Sequence, residues 1–372
     1  MSTTKLRYYQ NSEQLFNDTA EFWESYSPPN IFLSKEWLTS WLDSVDTIPL
    51  CMIFYDCNYI IGIVVVGETL LRPYLPQLRE WHCNQTGGIN EDQVWIEYNH
   101  IYCNVSQREK CTALLIEQFI RQPLVVTLNV SMAENVEHWK SKSPPLIKWL
   151  QNGKHIGYKK TLTECSSVSD VIASLSRNSR SQMRRAFKKA KSSWGDVSVT
   201  VATQAKKLDF LNELGLLHKE KWDSSTYGSG FSNENFLSHH KKLIELAPSL
   251  TDIVKVEAGE HLLGLCYFLK CDNSIKFYCS GINENVSDKH IKPGYLIHIA
   301  CMAHYGSKGF SDYDFLGGGA RYKSTLSDSK YTFTDLRLWN ISRVGRLLAS
   351  IHSLRSKLIK HFSKPSPDSP QQ

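Results

Sequence analysis

Three short stretches of this 372-residue chain carry side chains whose types and spacing suit the binding of anions. The first is Arg177 to Lys191, where seven Lys or Arg residues occur without a single acid. Within it Arg180, Arg184, Lys188 and Lys191 recur at i, i+4, i+8 and i+11, so a helix would set them on one face. Guanidinium groups grip phosphates through paired N–H donors. A solvated helix face has the same spacing, but such faces normally mix signs. The second stretch is Lys292-Pro293-Gly294-Tyr295. Proline is favoured at the first helical position, and an opening turn presents N–H groups and a positive dipole end. With Lys292 before it and Gly294 permitting close approach, this start is either an anion site or simply a proline-led helix. The third runs from Asp314 through Gly317, Gly318 and Gly319 to Arg321, Tyr322 and Lys323. Glycines let backbone N–H groups come close to a ligand, and a lysine there can neutralise negative charge on a carbonyl or a phosphate. The competing role for Asp314 is a buried carboxylate satisfied by loop amides.

Positioning such groups takes a folded scaffold, and the length implies two domains. The pattern predicts a boundary near residue 165: a domain over 1–165, a second over 166–342, a basic amphipathic helix over 343–363 and a Pro- and Ser-rich disordered tail over 364–372. In the first half, Ser34 caps a helix whose Trp37, Leu38, Trp41 and Leu42 share a face. Leu50–Tyr55 and Tyr59–Val66 read as a hairpin turned at Cys57-Asn58. A loop rich in Gly, Asn and aromatic residues, a helix over 107–121 and strands over 124–130 and 156–163 follow. In the second half a helix over 168–191 leads to a strand over 197–202, helices over 205–222 and 233–246, and strands over 253–258, 262–271 and 275–280. The helix at Pro293 and strands over 313–316 and 333–340 complete it. Gly259-Glu260 and Asp272-Asn273 supply the turns of an antiparallel meander. The fold class is therefore α+β.

Composition narrows the rest. With 41% hydrophobic and 22% charged residues and a net charge of +6, the chain is of globular type. Its longest apolar run, Ile60 to Val66, is strand-sized, and the polar start Met1 to Gln10 lacks the apolar core of an export signal. A cytoplasmic location is expected. The ten cysteines form no CxxC pair and there is no HExxH, so no metal is expected and the cysteines read as small hydrophobes.

The segments LSRNSRSQMRRAFKKAK (175–191), KFYCSGI (276–282) and KPGYLIHIACMAHYGSKGFSDYDFLGGGARYKS (292–324) resemble, in this order, the Gcn5-related N-acetyltransferase (GNAT) superfamily. The similarity is to its FemAB-like branch, which includes the CelD-type acetyltransferases of polysaccharide biosynthesis. It covers roughly residues 160–345, with the first half resembling a degenerate partner domain. The resemblance implies two tandem GNAT-like domains, each a mixed, mostly antiparallel sheet flanked by helices. It implies transfer of an acyl group from acyl-CoA, acetyl-CoA in particular, to an amine of a sugar, an amino acid or an envelope precursor. Arg180, Arg184, Lys292, Gly294 and Tyr295 would bind the donor. Tyr278 is a candidate acid for the leaving group and Ser280 a candidate contact for the acceptor, or else both are cross-strand packing residues. Asp314 and Lys323 would line the cleft, Gly317, Gly318 and Tyr322 would meet the acceptor, and His218 is a candidate base or else a surface histidine. The chain lacks the Arg/Gln-x-x-Gly-x-Gly/Ala loop of single-domain GNAT enzymes, as FemAB-type members also do, so aminoacyl-tRNA is the alternative donor. A non-catalytic scaffold is the reading from another class. The loop Tyr227 to Phe231 reads as a cover over the site. The 343–363 helix would dock on the protein, or else touch the inner membrane where the acceptor is lipid-linked.

Overall fold

Alternating and continuous apolar runs set the strands of this chain, and capped amphipathic segments set its helices. The computed structural model describes residues 2–72, 77–140, 148–225, 228–286, 291–340, 342 and 345–351. In chain order the first elements are β1 (Ser2–Arg7), α1 (Ser12–Asp18), α2 (Ala20–Ser25), α3 (Lys35–Leu42), β2 (Leu50–Asp56), β3 (Tyr59–Leu70) and β4 (Arg79–Cys83). They continue with α4 (Arg108–Ile120), β5 (Val125–Ala133), α5 (Val136–Lys140), β6 (Lys148–Thr161), α6 (Val168–Ala173), α7 (Arg177–Ser193) and β7 (Val197–Val201). Then come α8 (Lys207–Trp222), α9 (Glu234–Leu246), β8 (Thr251–Ala258), β9 (His261–Cys271) and β10 (Ser274–Ile282). The last are α10 (Pro293–Ser307), β11 (Asp312–Gly317), α11 (Arg321–Leu326) and β12 (Ser329–Trp339).

The chain divides into two units, residues 1–155 with those from Thr332 onward, and residues 156–331. The division falls inside β6 rather than near residue 165, and the last strand returns to the first unit. In that unit β1, β2, β3 and β4 form an antiparallel series, β4 pairs with β5 in parallel, and β5 pairs with β12 antiparallel. The expected Ser34 cap is present, its side chain accepting from the Trp37 N–H, and Trp37, Leu38, Trp41 and Leu42 are buried. The hairpin turns through Cys57 at φ 55°.

The second unit repeats that order. Strands β7, β8, β9 and β10 run antiparallel, β10 pairs with β11 in parallel, and β11 pairs with the 156–161 part of β6 antiparallel. Each unit is thus an antiparallel meander, one parallel pair and one antiparallel closing strand. The closing strand comes from the far end of the chain in the first unit, and from the stretch just before α6 in the second. Because successive side chains of β9 point to opposite faces, Cys266 meets Cys301 of α10 while Tyr267 packs 5.2 Å from His240 of α9. Helices α6, α7 and α10 therefore cover one face of this sheet, and α8 and α9 the other.

Two expectations change. The single helix over 168–191 is two, α6 and α7, because the Ser176 side chain accepts from the Ser179 N–H and starts a new helix. Helix α11, just after the glycines, is unforeseen. Of the terminal helix expected over 343–363, residues 345–351 are helical with Leu347 and Ile351 exposed. The rest of it and the 364–372 tail lie outside the described residues, as does Tyr227 of the proposed cover loop. Eight of the ten cysteines are buried, as expected of small hydrophobes. No helix among the described residues is long and apolar enough to cross a membrane, and no cluster of described residues has the makings of a metal site.

Candidate functional site

Helix α7 is anchored in the second unit by Met183, Ala186 and Ala190, which are buried, and this turns its polar side chains outward. Asn178, Ser181 and Arg185 fall at i, i+3 and i+7 and so share one face. They open a pocket of about 500 Å³ together with Ser179, Gln182, Lys292, Tyr295, Arg321 and Thr325. Three cations, Arg185, Lys292 and Arg321, line it with hydroxyl and amide groups and no carboxylate. That composition selects for anions. An adjoining groove of about 570 Å³ is lined by Arg177, Arg180, Ser181, Arg184 and Arg185. Arg180 is braced there by a bond from Nη2 to the Leu175 carbonyl at 3.2 Å.

At the start of α10, Lys292 Nζ lies 5.5 Å from the Tyr295 ring centre. The backbone contributes less than expected. Pro293 has no N–H, and the N–H groups of Tyr295 and Leu296 both turn to the Lys292 carbonyl, at 3.0 and 3.2 Å. Gly294 keeps the one first-turn amide without a carbonyl partner among the described residues. Side chains must therefore supply most of the charge that a glycine-rich loop would otherwise provide. Gly294 does matter for packing, since a Cβ there would lie 3.1 Å from Ile282 Cδ1 of β10.

Beside this helix start the sheet opens. The parallel ladder holds Ser274, Ile275 and Lys276 against Asp312, Tyr313 and Asp314 and then stops, although β10 continues to Ile282 and β11 to Gly317. A bulge between Phe277 and Cys279 turns β10 at the same level. Phe277 packs 4.6 Å from His298 of α10. Tyr278 goes to the opposite face, its hydroxyl 3.1 Å from His240 Nε2 and its ring stacked on Phe236. Burial, then the neighbouring His239, holds the His240 pKa well below the usual range, so that ring is neutral. Ser280 sits opposite Cys266 in register, on the α10 face, and is half-buried.

Several expected site residues serve the end of β11 instead. Asp314 is fully buried and accepts from the Leu316 N–H at 2.9 Å and the Tyr331 hydroxyl at 2.6 Å, with Lys276 Nζ at 3.4 Å and Lys159 Nζ at 3.9 Å. This is the satisfied buried carboxylate. Lys323 is buried and donates to the Phe315 and Gly317 carbonyls, at 2.9 and 2.5 Å. Gly318 adopts φ 120° and donates to the Ile156 carbonyl, so the glycines serve a tight turn. Tyr322 stacks on His298 at 4.9 Å, and burial raises its pKa. His218 is buried rather than on the surface: Nδ1 meets Ser229 Oγ at 2.8 Å, and burial lowers its pKa to about 4. Arg185 was given no individual role from the sequence, and Arg321 was named only as part of the stretch after the glycines. The signal was present in the i, i+3, i+7 spacing of Asn178, Ser181 and Arg185, masked by the more regular series through Arg180. Of that series Lys188 and Lys191 line neither depression, and Lys191 pairs with Asp196 at 2.8 Å.

Residues 177–324 match the family described as Acetyltransferase (GNAT) domain, a span that begins at the first residue of α7 and ends inside α11. No curated protein matches the chain. A conserved protein of unknown function from Bacteroides thetaiotaomicron VPI-5482 is 9% identical with a TM-score of 0.58, over 91% of this chain and 100% of that one. FemX is 9% identical with a TM-score of 0.54, over 89% and 96%. L-PGS from Bacillus licheniformis is 10% identical with a TM-score of 0.52, over 96% and 100%. At these identities the likeness is one of fold. The chain thus has a GNAT-like α+β fold, shared with FemX across most of its length, and all of the cationic pocket's lining except Thr325 lies in the segment that matches the acetyltransferase family.

Proposed function

We propose that this protein is an N-acyltransferase of the CelD type that moves an acyl group, acetyl in the first instance, from acyl-CoA to an amine of a sugar, an amino acid or a polysaccharide or envelope precursor. The observation that carries this reading is the pocket in which Arg185, Lys292 and Arg321 converge at the start of α10, beside strands that part after Lys276 and Asp314. Bound there, acyl-CoA supplies the activated acyl group. The three cations and the Gly294 N–H suit its pyrophosphate. The opening between β10 and β11 suits its acyl arm, and the amine approaches from the α9 face. Tyr278, its hydroxyl set by neutral His240, is the residue assigned to protonate the departing thiolate. Asp314 and Lys323 shape the end of β11 rather than touch substrate. The proposed place of work is the cytoplasm, with the basic 343–363 segment as the contact with the inner membrane where the acceptor is lipid-linked.

The arginine groove along α7 favours a second donor, aminoacyl-tRNA, for the same fold. Calorimetric titration with acetyl-CoA and with charged tRNA separates the two. The first reading expects micromolar binding of acetyl-CoA and indifference to tRNA. Steeply salt-dependent tRNA binding without CoA binding would replace it with the second, and binding of neither would favour a scaffold.

A further inference from the structure

Two buried donors in the first unit have no acceptor. His100 is 6% exposed, and its Nδ1 accepts from the Ile101 N–H at 2.8 Å. That bond needs a bare Nδ1. Burial, then the nearby Arg108 guanidinium, lowers the pKa of the ring to about 3, so the ring is neutral and its one proton sits on Nε2. Among the described residues that buried Nε2–H has no acceptor, and neither has the buried Nε–H of Arg108. Buried donors are almost always satisfied, so two orphans near one another, one of them charged, call for an acceptor that the chain does not supply. Among the described residues the titratable groups acting on the His100 ring are Arg108 and His138, with no carboxylate.

Helix α4 stands between β4 and β5 as α10 stands between β10 and β11. Arg108, the first residue of α4, therefore occupies the helix start that in the second unit carries the cationic pocket. The two starts differ in what lies beside them. Asn99 bridges the strand ends of the first unit, its N–H donating to the Met132 carbonyl of β5 at 3.2 Å and its Nδ2 to the Cys83 carbonyl of β4 at 3.0 Å. Asn84 Nδ2 fixes the same segment through Asn99 Oδ1 and the His100 carbonyl, at 3.0 and 2.7 Å. The gap that would take an acyl arm is thus filled by the chain itself. The His100 ring lies 4.9 Å from Trp139 of α5, and the Cys103 thiol hydrogen-bonds with Cys111 near the start of α4, which holds this segment along the helix start. Arg108 is half-buried and Ser106 exposed, so the rim of the spot meets solvent.

We propose that the start of α4 is a second anion site, in which the Arg108 guanidinium and the His100 Nε2–H hold one oxyanion, a carboxylate or a phosphate group, of a ligand other than the acyl donor. A guanidinium suits an oxyanion through its forked donors, and the opening turn of the helix adds its positive dipole end. Glu109, the acid of that turn, is exposed. The filled gap beside the site excludes a ligand that threads between the strands and leaves one that presents its charged group from outside. This site is independent of the reading of the second unit's pocket as a donor site.

The test uses the full chain labelled with 15N-histidine and read by NMR at low salt, with inorganic phosphate and acetate as separate probes. The His100 Nε2–H signal is expected to shift saturably with at least one of them, and the tighter probe tells which group the ligand carries. Arg108→Gln should weaken that binding about tenfold, as the loss of one charge-assisted bond would. The Nδ1 signal, set by the bond from Ile101, reports that the segment is still folded in this variant. Arg321→Ala, in the second unit, should leave the midpoint of the His100 shift unchanged. A His100 signal indifferent to both probes would mean that the two donors hold buried water only, and overturns the inference. So does a shift whose midpoint is the same in Arg108→Gln, or one that disappears with Arg321→Ala and hence belongs to the pocket at α10. None of these outcomes bears on acetyl-CoA binding, so the two sites stand or fall separately.

Discussion

Replacing Lys323 with methionine separates a structural role from a chemical one. The ammonium is buried and spans the Phe315 and Gly317 carbonyls, closing the end of β11 around Leu316, a non-glycine residue held at φ 59°. A hydrogen bond to a charged group is worth about 1.5–3 kcal/mol net, so two of them set a ceiling of roughly 3–6 kcal/mol. Methionine keeps the aliphatic length and removes the cost of burying a charge, which offsets part of the loss. The expected net destabilisation is about 2–4 kcal/mol, concentrated in the second unit. Urea unfolding combined with hydrogen exchange on peptides covering 312–326 measures it. The midpoint should fall, and amides of the glycine turn should exchange faster, while folded molecules retain the ability to bind donor. A Lys323→Met protein with an unchanged midpoint and abolished turnover would refute the backbone role and return this lysine to the chemistry.

Acid should weaken the fold through buried neutral histidines. Burial lowers the pKa of His100 to about 3, of His298 to about 3 and of His218 to about 4, all below the unfolded value of 6.5. Under pH 6.5 the unfolded chain therefore takes up protons that the folded chain refuses. The contribution of these rings is complete above pH 6.5 and is lost as pH falls toward 4 for His218 and toward 3 for the others, at about 1.4 kcal/mol per pH unit per ring. Unfolding free energies that stay flat between pH 6.5 and 4.5 would contradict it. A second expectation concerns the contact of α8 with β10. A Cβ at Gly281 would lie 2.6 Å from the Leu214 carbonyl and 2.7 Å from Leu217 Cβ, so Gly281→Ala should cost about 1–3 kcal/mol by forcing the helix off the strand. A thermal unfolding curve that matches the parent protein would count against so tight a contact.

Most of the architecture was legible because it rests on local rules. The Ser34 cap, the turn at Cys57-Asn58 and the meander turns at Gly259-Glu260 and Asp272-Asn273 each announce themselves within a few residues. The helix led by Pro293 and the basic helix were legible for the same reason. What failed was whatever depends on partners distant in sequence. The last strand joins the first unit through pairs such as Leu338 with Leu128, which no window around residue 338 records. Asp314 and Lys323 looked reactive because glycines and charges are adjacent to them. The contacts that occupy them include Lys159 and Tyr331 for the one and strand-end carbonyls for the other. His218 read as a surface residue because Ser229, its partner, lies in a different segment. Arg321, named in the sequence only as part of the glycine stretch, joins Arg185 and Lys292 only when α11 is folded beside α10 and α7.

The central claim is that the pocket at the start of α10 holds the phosphates of an acyl donor, and calorimetric titration of the full chain with acetyl-CoA tests it most directly. Micromolar binding that weakens with added salt is expected, with a loss of roughly tenfold or more in Arg321→Ala, the equivalent of one charge-assisted hydrogen bond. Acetyl-CoA binding that is indifferent to both salt and Arg321, or no binding to a folded protein at all, would contradict it.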